Sequence, residues 1–411
     1  MGVTVTVAVL PKDFAQAAKW FRLSAEQDNE NAQYYLGECY AAGAGVAQSD
    51  AEAVKWYRLS AEQGNAQAQC ALGSCYYLGN GVAEDNGEAV KWFRLSAEQE
   101  NAQAQRLLGE CFLYGYGVAQ NEAEAAKWYR LAAEQGDAGA QNSLGFCYFN
   151  GYGVAQSYAE AAKWYRNAAE QGDKIAQSNL GNCYYYGNGV AKDYAEAVKW
   201  FRLSAEQGDA DGQRSLGNCY YLGYGVPEDD DEAVKWFRLS AEQGNAGGQR
   251  SLGNCYYRGH GVPEDNDEAA KWFRLSAEQG DAEAQMLLGE CYLYGCGVEK
   301  NSAEAMKWYR KAAEQGNAEA QNGLGVRYYR GDGVAKDFAE AAKWFRLAAE
   351  QGVSTAQYNL GVCYEDGQGV ARSIEEAKKW YSKAAAQGDE DAKRRLESLD
   401  APKKKGFWGL F

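Results

Sequence analysis

The residues of this chain with the most reactive side chains are eleven cysteines and a single histidine. Thiols in such number could form disulfides, bind zinc or act as nucleophiles. Nine of the cysteines, however, recur at a spacing of 36 residues: Cys39, Cys75, Cys111, Cys147, Cys183, Cys219, Cys255, Cys291 and Cys363. Arg327 stands at the one position of this series that lacks a cysteine. A position that recurs in every unit of a repeated structure is typical of packing rather than of chemistry.

Disulfide bonds between these recurring cysteines are not expected. Equivalent positions in adjacent stacked helices lie about 8–10 Å apart, which is beyond the ~7 Å limit between the Cα atoms of a disulfide. We therefore predict free, buried thiols. Cys291 and Cys296 span the end of a helix, and for them pairing remains open.

The other candidate chemical motifs fail on their context. His260 lies in a Gly-His-Gly turn, and with one histidine in the chain, Ser-His-Asp triads and most zinc sites are excluded. The acidic runs 228–232 and 264–268 lack calcium-loop spacing and precede helices, so we expect them to cap helices. The Gly-x-Gly turns follow helices rather than strands, so they do not indicate a dinucleotide-binding site. The sequence thus predicts no catalytic residue, no metal site and no cofactor, with a hydrolase kept only as a third alternative.

Eleven tryptophans show the same 36-residue spacing as the cysteines: Trp20, Trp56, Trp92, Trp128, Trp164, Trp200, Trp236, Trp272, Trp308, Trp344 and Trp380. A fixed period of this size indicates stacked supersecondary units. A tryptophan ring buries about 150–250 Å². We therefore expect the tryptophan to be the main core residue of each unit.

Each unit contains two amphipathic helices. In one of them, Ala197, Val198, Trp200, Phe201, Ser204 and Ala205 recur at steps of three and four residues. In the next helix, Gly212, Leu216, Gly217, Cys219 and Tyr220 form one packing stripe. Gly223 and Gly225 then end that helix with a left-handed turn. The sequence therefore predicts two antiparallel helices in every 36 residues.

The repeated pattern resembles the Sel-one-like repeat (SLR) family of tetratricopeptide-type solenoids. The pattern reads A-x-x-x-L-G-x-C-Y-x-x-G-x-G-V, then E-A-x-K-W-[FY]-R-x-[AS]-A-E-Q-G, as in Ala176, Leu180, Gly181, Tyr184, Gly187, Gly189, Val190, Ala197, Trp200, Ala205 and Gly208. The resemblance implies an all-α fold: an α/α solenoid, coiled as a right-handed superhelix, of about eleven 36-residue helix-turn-helix repeats. It also implies adaptor or scaffold roles and, in bacteria, host contact. It implies no reaction.

The two ends of the chain depart from the repeat. We predict an irregular segment over residues 1–12, the solenoid with a degenerate capping helix over residues 13–400, and a basic-aromatic segment over residues 401–411 that is expected to be disordered. Deleting residues 402–411 is not expected to affect the melting of the solenoid.

Net charge and cysteine usage narrow the partners and the compartment. A net charge of −15 disfavours nucleic acid, so we expect a protein or peptide partner and no small-molecule substrate. Met1–Leu10 lacks the features of an export signal, and free thiols favour a reducing compartment, so the cytoplasm is expected. The resemblance implies that secreted, cysteine-rich SLR relatives join the two helices of each repeat with a cysteine pair. The regular pattern of this chain has only one cysteine per repeat, which weakens the secreted interpretation. A secreted or periplasmic protein whose signal peptide has been trimmed, binding a host or envelope component, is the alternative.

A candidate partner surface lies where the repeats differ from one another. These positions are offset by about 200° from the packing stripe, and in stacked α/α repeats the first helices line the concave side. Their amide, guanidinium and apolar groups could bind an extended backbone. Unselected surface variation is the alternative. The residues chosen are Asn182, Asn218, Asn254, Tyr186, Leu222, Arg214, Arg250 and Arg258.

The basic-aromatic segment is a second candidate contact. It carries Lys403, Lys404, Lys405, Phe407, Trp408 and Phe411 on an otherwise acidic protein. Such a segment suits weak contact with an anionic membrane or docking into a groove. A disordered end without a role is the alternative.

Overall fold

In this computed structural model, residues 11–400 are described, with side chains from Phe14 onward. The contacts predicted for Lys403, Lys404, Lys405, Phe407, Trp408 and Phe411 lie outside the described residues, as does most of the predicted irregular segment 1–12. Helix α1 begins at Pro11, which suits proline because a first-turn N–H needs no partner within the helix.

Residues 11–400 form 22 helices, and the chain divides into two compact units, Met1–Gln207 and Gly208–Phe411. The helices of the first unit are α1 (Pro11–Ala25), α2 (Glu30–Ala42), α3 (Asp50–Glu62), α4 (Ala66–Leu78), α5 (Asn86–Glu98), α6 (Ala102–Tyr114), α7 (Glu122–Glu134), α8 (Ala138–Asn150), α9 (Tyr158–Glu170), α10 (Lys174–Tyr186) and α11 (Tyr194–Glu206). Those of the second are α12 (Ala210–Leu222), α13 (Asp230–Glu242), α14 (Ala246–Arg258), α15 (Asn266–Glu278), α16 (Ala282–Tyr294), α17 (Ser302–Glu314), α18 (Ala318–Arg330), α19 (Phe338–Glu350), α20 (Ser354–Asp366), α21 (Ile374–Ala386) and α22 (Glu390–Asp400).

The predicted all-α repeat architecture is confirmed in both units. We call the even-numbered helices A helices and the odd-numbered ones B helices. Within each unit, an A helix packs on the B helix that follows it, and that B helix packs on the next A helix. This alternation is what a helix-turn-helix solenoid requires, because each repeat buries its apolar faces on its neighbours.

The turn from an A helix to its B helix depends on two glycines, as predicted. Gly259 ends α14 in the left-handed region at φ 69°, and its backbone N–H donates to the Cys255 carbonyl. Gly261 also has a positive φ, and a Cβ there would lie 2.3 Å from the Asp230 carbonyl oxygen. His260, between them, donates its backbone N–H to the same Cys255 carbonyl, at 3.0 Å. It is therefore a turn residue, as the sequence indicated.

The acidic runs cap B helices, which confirms that prediction. A carboxylate oxygen of Asp229 accepts the backbone N–H of Glu232, and Asp265 accepts that of Glu268, each at 3.0 Å. Asparagine or aspartate usually caps the A helices in the same way, as Asn317 does for α18. Helix α20 is different, because Val353 precedes it and supplies no side-chain cap.

Replacing Val353 with aspartate is expected to stabilise the second unit relative to Val353→Ala by about 1 kcal/mol, since only aspartate can accept a first-turn N–H. Alanine is the reference because valine also packs on the neighbouring core. Urea unfolding followed by circular dichroism measures the difference. Equal midpoints for the aspartate and alanine variants would contradict a vacant cap at α20.

From Tyr57 onward, the most enclosed aromatic residue of a repeat is not the tryptophan but the residue after it. The expectation that tryptophan is the main core residue was therefore wrong, although Trp128, Trp236, Trp344 and Trp380 are also buried. Trp272 is half-buried, whereas the next residue, Phe273, is 1% exposed. The ring of Phe273 lies against Gly253 of α14, where a Cβ would come within 2.7 Å of a ring carbon. The same pairing of a helical glycine with a buried phenylalanine or tyrosine recurs in both units. Glycine is therefore required in the A helix because the ring occupies the space of a side chain.

Hydrogen bonds at constant offsets join successive repeats. The amide nitrogen of Gln249 donates to the Ala241 carbonyl of the preceding repeat at 3.3 Å, and its amide oxygen accepts from Gln279 of its own repeat at 2.8 Å. Arg274 donates to the Tyr292 hydroxyl of the following repeat at 2.9 Å. The bonds of Gln249 are buried or half-buried and fix the register between neighbouring helices, since an unpaired buried amide is costly.

Candidate functional site

Cavities recur at one structural position, between successive A helices and above the buried aromatic residue of the intervening B helix. We call them the N-terminal, central and C-terminal cavities, with volumes of about 330, 310 and 210 Å³. Their floors are Tyr57, Phe237 and Phe345, respectively. In each unit, we call the surface in which these cavities open the A-helix face.

The central cavity brings together five of the eight predicted partner-binding residues: Asn218 and Leu222 of α12, and Arg250, Asn254 and Arg258 of α14. Tyr221 and Phe237 provide an aromatic floor beneath them. The arrangement combines an apolar base with amide and guanidinium groups at the rim, which is the composition of many peptide-binding sites.

The two asparagines of the central cavity are free to bind a ligand. Within residues 11–400, the side-chain amides of Asn218 and Asn254 form no hydrogen bond to another residue. Each amide can both donate and accept, so it matches the alternating N–H and C=O groups of an extended backbone.

The two arginines of this cavity differ. Arg250 is held by its own chain: its Nε lies 3.4 Å from an Asp281 carboxylate oxygen, its Nη1 also contacts Glu283, and its side chain is 25% exposed. Arg258 is exposed and forms no ion pair within the described part of the chain. Arg258 is therefore the guanidinium that a ligand would meet first, whereas Arg250 shapes the wall.

The remaining predicted residues lie elsewhere. Arg214 is on α12, where its Nε lies 3.7 Å from an Asp211 carboxylate oxygen, and it does not line the central cavity. Asn182 and Tyr186 are on α10 in the first unit. Tyr186 is 66% exposed, and its ring meets that of Tyr185 at a centroid distance of 4.9 Å.

The N-terminal cavity was missed by sequence reasoning. Glu38 and Asp50 make it acidic, and the Tyr57 hydroxyl donates to a Glu38 carboxylate oxygen at 2.5 Å. Burial, with a smaller contribution from the Glu38 charge, raises the pKa of Tyr34 to about 12. Glu38 has the same position in its repeat as Asn218, so the 36-residue spacing was the signal that could have identified it.

The recurring cysteines are packing residues, as predicted. All eleven thiols are free, Cys291 and Cys296 included, and most of the recurring ones are buried. Burial raises the pKa of Cys219 and of Cys255 to about 12, so both are neutral thiols near pH 7. A neutral thiol is a poor nucleophile and a poor metal ligand. Among residues 11–400, no group of three or more histidine, cysteine or acidic side chains is arranged to hold a metal ion.

An arginine interrupts the row of cysteines. Arg327 is 9% exposed, lies over the Tyr309 ring at 5.7 Å and has its nearest carboxylate, Asp332, at 3.9 Å. Its Nε has no hydrogen-bond partner within the described range. This repeat therefore tolerates a buried cation where its neighbours have a thiol.

Paired helices repeated in register define an α-helical solenoid. The Sel1-repeat family model matches the chain eleven times, and the chain belongs to that family, as its resemblance to Sel-one-like repeats predicted. Sel1-repeat solenoids are typical of interaction scaffolds and are generally non-catalytic. The matched ranges are 8–29, 31–65, 66–101, 102–137, 138–173, 174–209, 210–245, 246–281, 282–317, 318–353 and 354–389.

Two solved structures of bacterial proteins are similar to this chain. One is a protective antigen of uropathogenic Escherichia coli with an SLR fold, which is 42% identical, has a TM-score of 0.75 and covers 94% of this chain and 83% of its own. The other is a Sel1 repeat protein from Oxalobacter formigenes, which is 34% identical, has a TM-score of 0.56 and covers 75% of this chain and 90% of its own. A comparison with curated proteins found no match. No helix within residues 11–400 is long and apolar enough to cross a membrane.

Proposed function

We propose that this protein is a non-catalytic interaction scaffold or adaptor that binds an extended peptide or protein segment on its A-helix face. The central cavity is the observation that carries this proposal. There the unpaired amides of Asn218 and Asn254 stand above an aromatic floor beside the exposed guanidinium of Arg258.

Repeat spacing supports an extended ligand. Adjacent helices pack about 8–10 Å apart, and an extended chain rises about 3.3 Å per residue. Equivalent asparagines in successive A helices are therefore spaced to meet backbone groups about three residues apart. The side chain between them can enter the cavity, so the amides supply affinity and the cavity supplies selectivity.

Selection of peptides from a random phage-displayed library against the full chain tests this proposal. We expect the selected peptides to bind Asn218→Ala/Asn254→Ala protein about tenfold more weakly, because each lost hydrogen bond contributes roughly 0.5–1.5 kcal/mol. Circular dichroism should be unchanged, since both side chains lie outside the core.

The matched control is Asn167→Ala, on a B helix of the first unit. Peptide affinity should be the same for this variant and the wild type. Peptides that bind the double variant as tightly as the wild type, or a library that yields no binders, would contradict binding at the central cavity.

A second candidate is a secreted or periplasmic factor that contacts a host or envelope component. Similarity to a protective antigen favours it. The free thiols favour the cytoplasm, which we propose as the compartment. Thiol titration of protein purified without reductant separates the two candidates.

For a cytoplasmic protein, we expect all the cysteines to react after denaturation and few to react in the native state at pH 8. Cys219 and Cys255 should be slow because their raised pKa keeps them protonated, and their reaction should accelerate as the pH rises towards about 12. Cys296 is half-buried and should react earlier. Mostly bridged cysteines in the denatured protein would instead support the secreted candidate.

A further inference from the structure

The C-terminal cavity has a different chemistry from the central one, although both occupy the same structural position. Tyr329 and Phe345 form its apolar base. Both amide positions of the central cavity are apolar here, since Asn218 corresponds to Val326 and Asn254 to Val362. Arg330 replaces Leu222, and Arg395 also lines the cavity. This cavity therefore suits an aromatic side chain, which can lie on the apolar base beside a guanidinium.

The last helix forms part of the same cavity. Arg395 of α22 lines it, and the Arg395 guanidinium lies 3.4 Å from a Glu365 carboxylate oxygen. Helix α22 ends at Asp400, about 7–8 Å along the helix axis from Arg395. Residues 401–411 follow directly and, fully extended, span up to about 36 Å. The basic-aromatic segment is therefore long enough to return to the cavity.

The segment and its surroundings are complementary. Phe407, Trp408 and Phe411 are large apolar side chains, and a cavity of about 210 Å³ holds one such ring. Asp366, at the end of α20, occupies the repeat position that Arg258 has at the central cavity, and it is exposed. Asp366 offers one acidic group to Lys403–Lys405 outside the cavity, whereas Arg330 and Arg395, which line the cavity, favour an aromatic ring over a basic side chain inside it.

We propose that residues 407–411 of this chain dock in the C-terminal cavity and place an aromatic ring on Phe345. This contact uses a different cavity from the one assigned to the partner, so it can be tested even if the central cavity binds no peptide.

Limited trypsin digestion of the full chain, followed by intact mass spectrometry, tests the proposal. Trypsin cleaves after Lys403–Lys405 only where the protease can reach the flanking residues, so docking of residues 407–411 should slow this cleavage. We expect Val362→Arg to accelerate this cleavage about tenfold. The matched control is Asn254→Arg, at the equivalent position of the central cavity, which should leave the rate unchanged.

A second variant keeps the solenoid intact. Combining Phe407→Ser, Trp408→Ser and Phe411→Ser alters only the segment and should also accelerate cleavage about tenfold. Equal rates for this variant and the wild type overturn the proposal. If the wild type also sediments with phosphatidylserine vesicles under those conditions, the segment is assigned to a membrane surface instead.

Discussion

Replacement of Phe273 by alanine is expected to lower the free energy of unfolding of the second unit by about 3–5 kcal/mol. The ring is 1% exposed and lies between α15 and Gly253 of α14, so its removal leaves a cavity where the two helices of one repeat meet. Each repeat is stabilised mainly by its neighbours. We therefore expect urea unfolding to separate into two transitions.

Trp272→Ala is the comparison, because it removes the adjacent and larger aromatic side chain. Its indole is half-buried, and its Nε1–H donates a hydrogen bond to a Glu268 carboxylate oxygen at 3.1 Å. We expect a loss of about 1–3 kcal/mol, since part of the ring surface already contacts water. A larger loss for Trp272→Ala than for Phe273→Ala would restore the tryptophan as the central core residue.

Gly253→Ala is expected to destabilise the second unit by about 1–3 kcal/mol, although alanine is the better helix former. The new methyl group would lie 2.7 Å from carbons of the Phe273 ring and 3.3 Å from the Ala269 carbonyl oxygen, so the helices must separate. Urea unfolding measures the loss.

A double-mutant cycle identifies the cause. In a Phe273→Leu background the ring is absent, so Gly253→Ala should cost markedly less than it does in the wild type. Gly247→Ala, on the same helix, is a control in which the new methyl group meets only the flexible Arg214 side chain and its own helix cap. An equal cost of Gly253→Ala in both backgrounds would show that the Phe273 ring does not impose this glycine.

The period, the helix pairs and their turns could be predicted from the sequence because they depend on local chemistry. Glycines that adopt a positive φ, aspartates that cap B helices and apolar residues at steps of three and four each act within one helix or turn. The nine recurring cysteines were correctly interpreted as packing residues for the same reason. Their recurrence excluded a specialised role in any single repeat.

Long-range partners could not be predicted in the same way. Trp272 and Phe273 both recur in type and spacing, and only the packing of α14 on α15 decides which ring is enclosed. The bond from Gln279 to Gln249 joins residues 30 positions apart, and no local pattern reveals that distance. Similarly, the variable positions predicted the residues Asn218 and Asn254, whereas their convergence on one cavity required the stacking of α12 and α14.

The constant offsets of the bonds between repeats have a consequence for the genetic history of the chain. Gln249 donates to the carbonyl eight residues before it, Ala241, and Gln285 donates to Ala277 in the same way. If residues 246–281 were excised, Gln285 would take the place of Gln249 opposite Ala241, so this bond between repeats would be kept. Duplication or loss of a whole 36-residue segment therefore lengthens or shortens the A-helix face by one step without a compensating mutation.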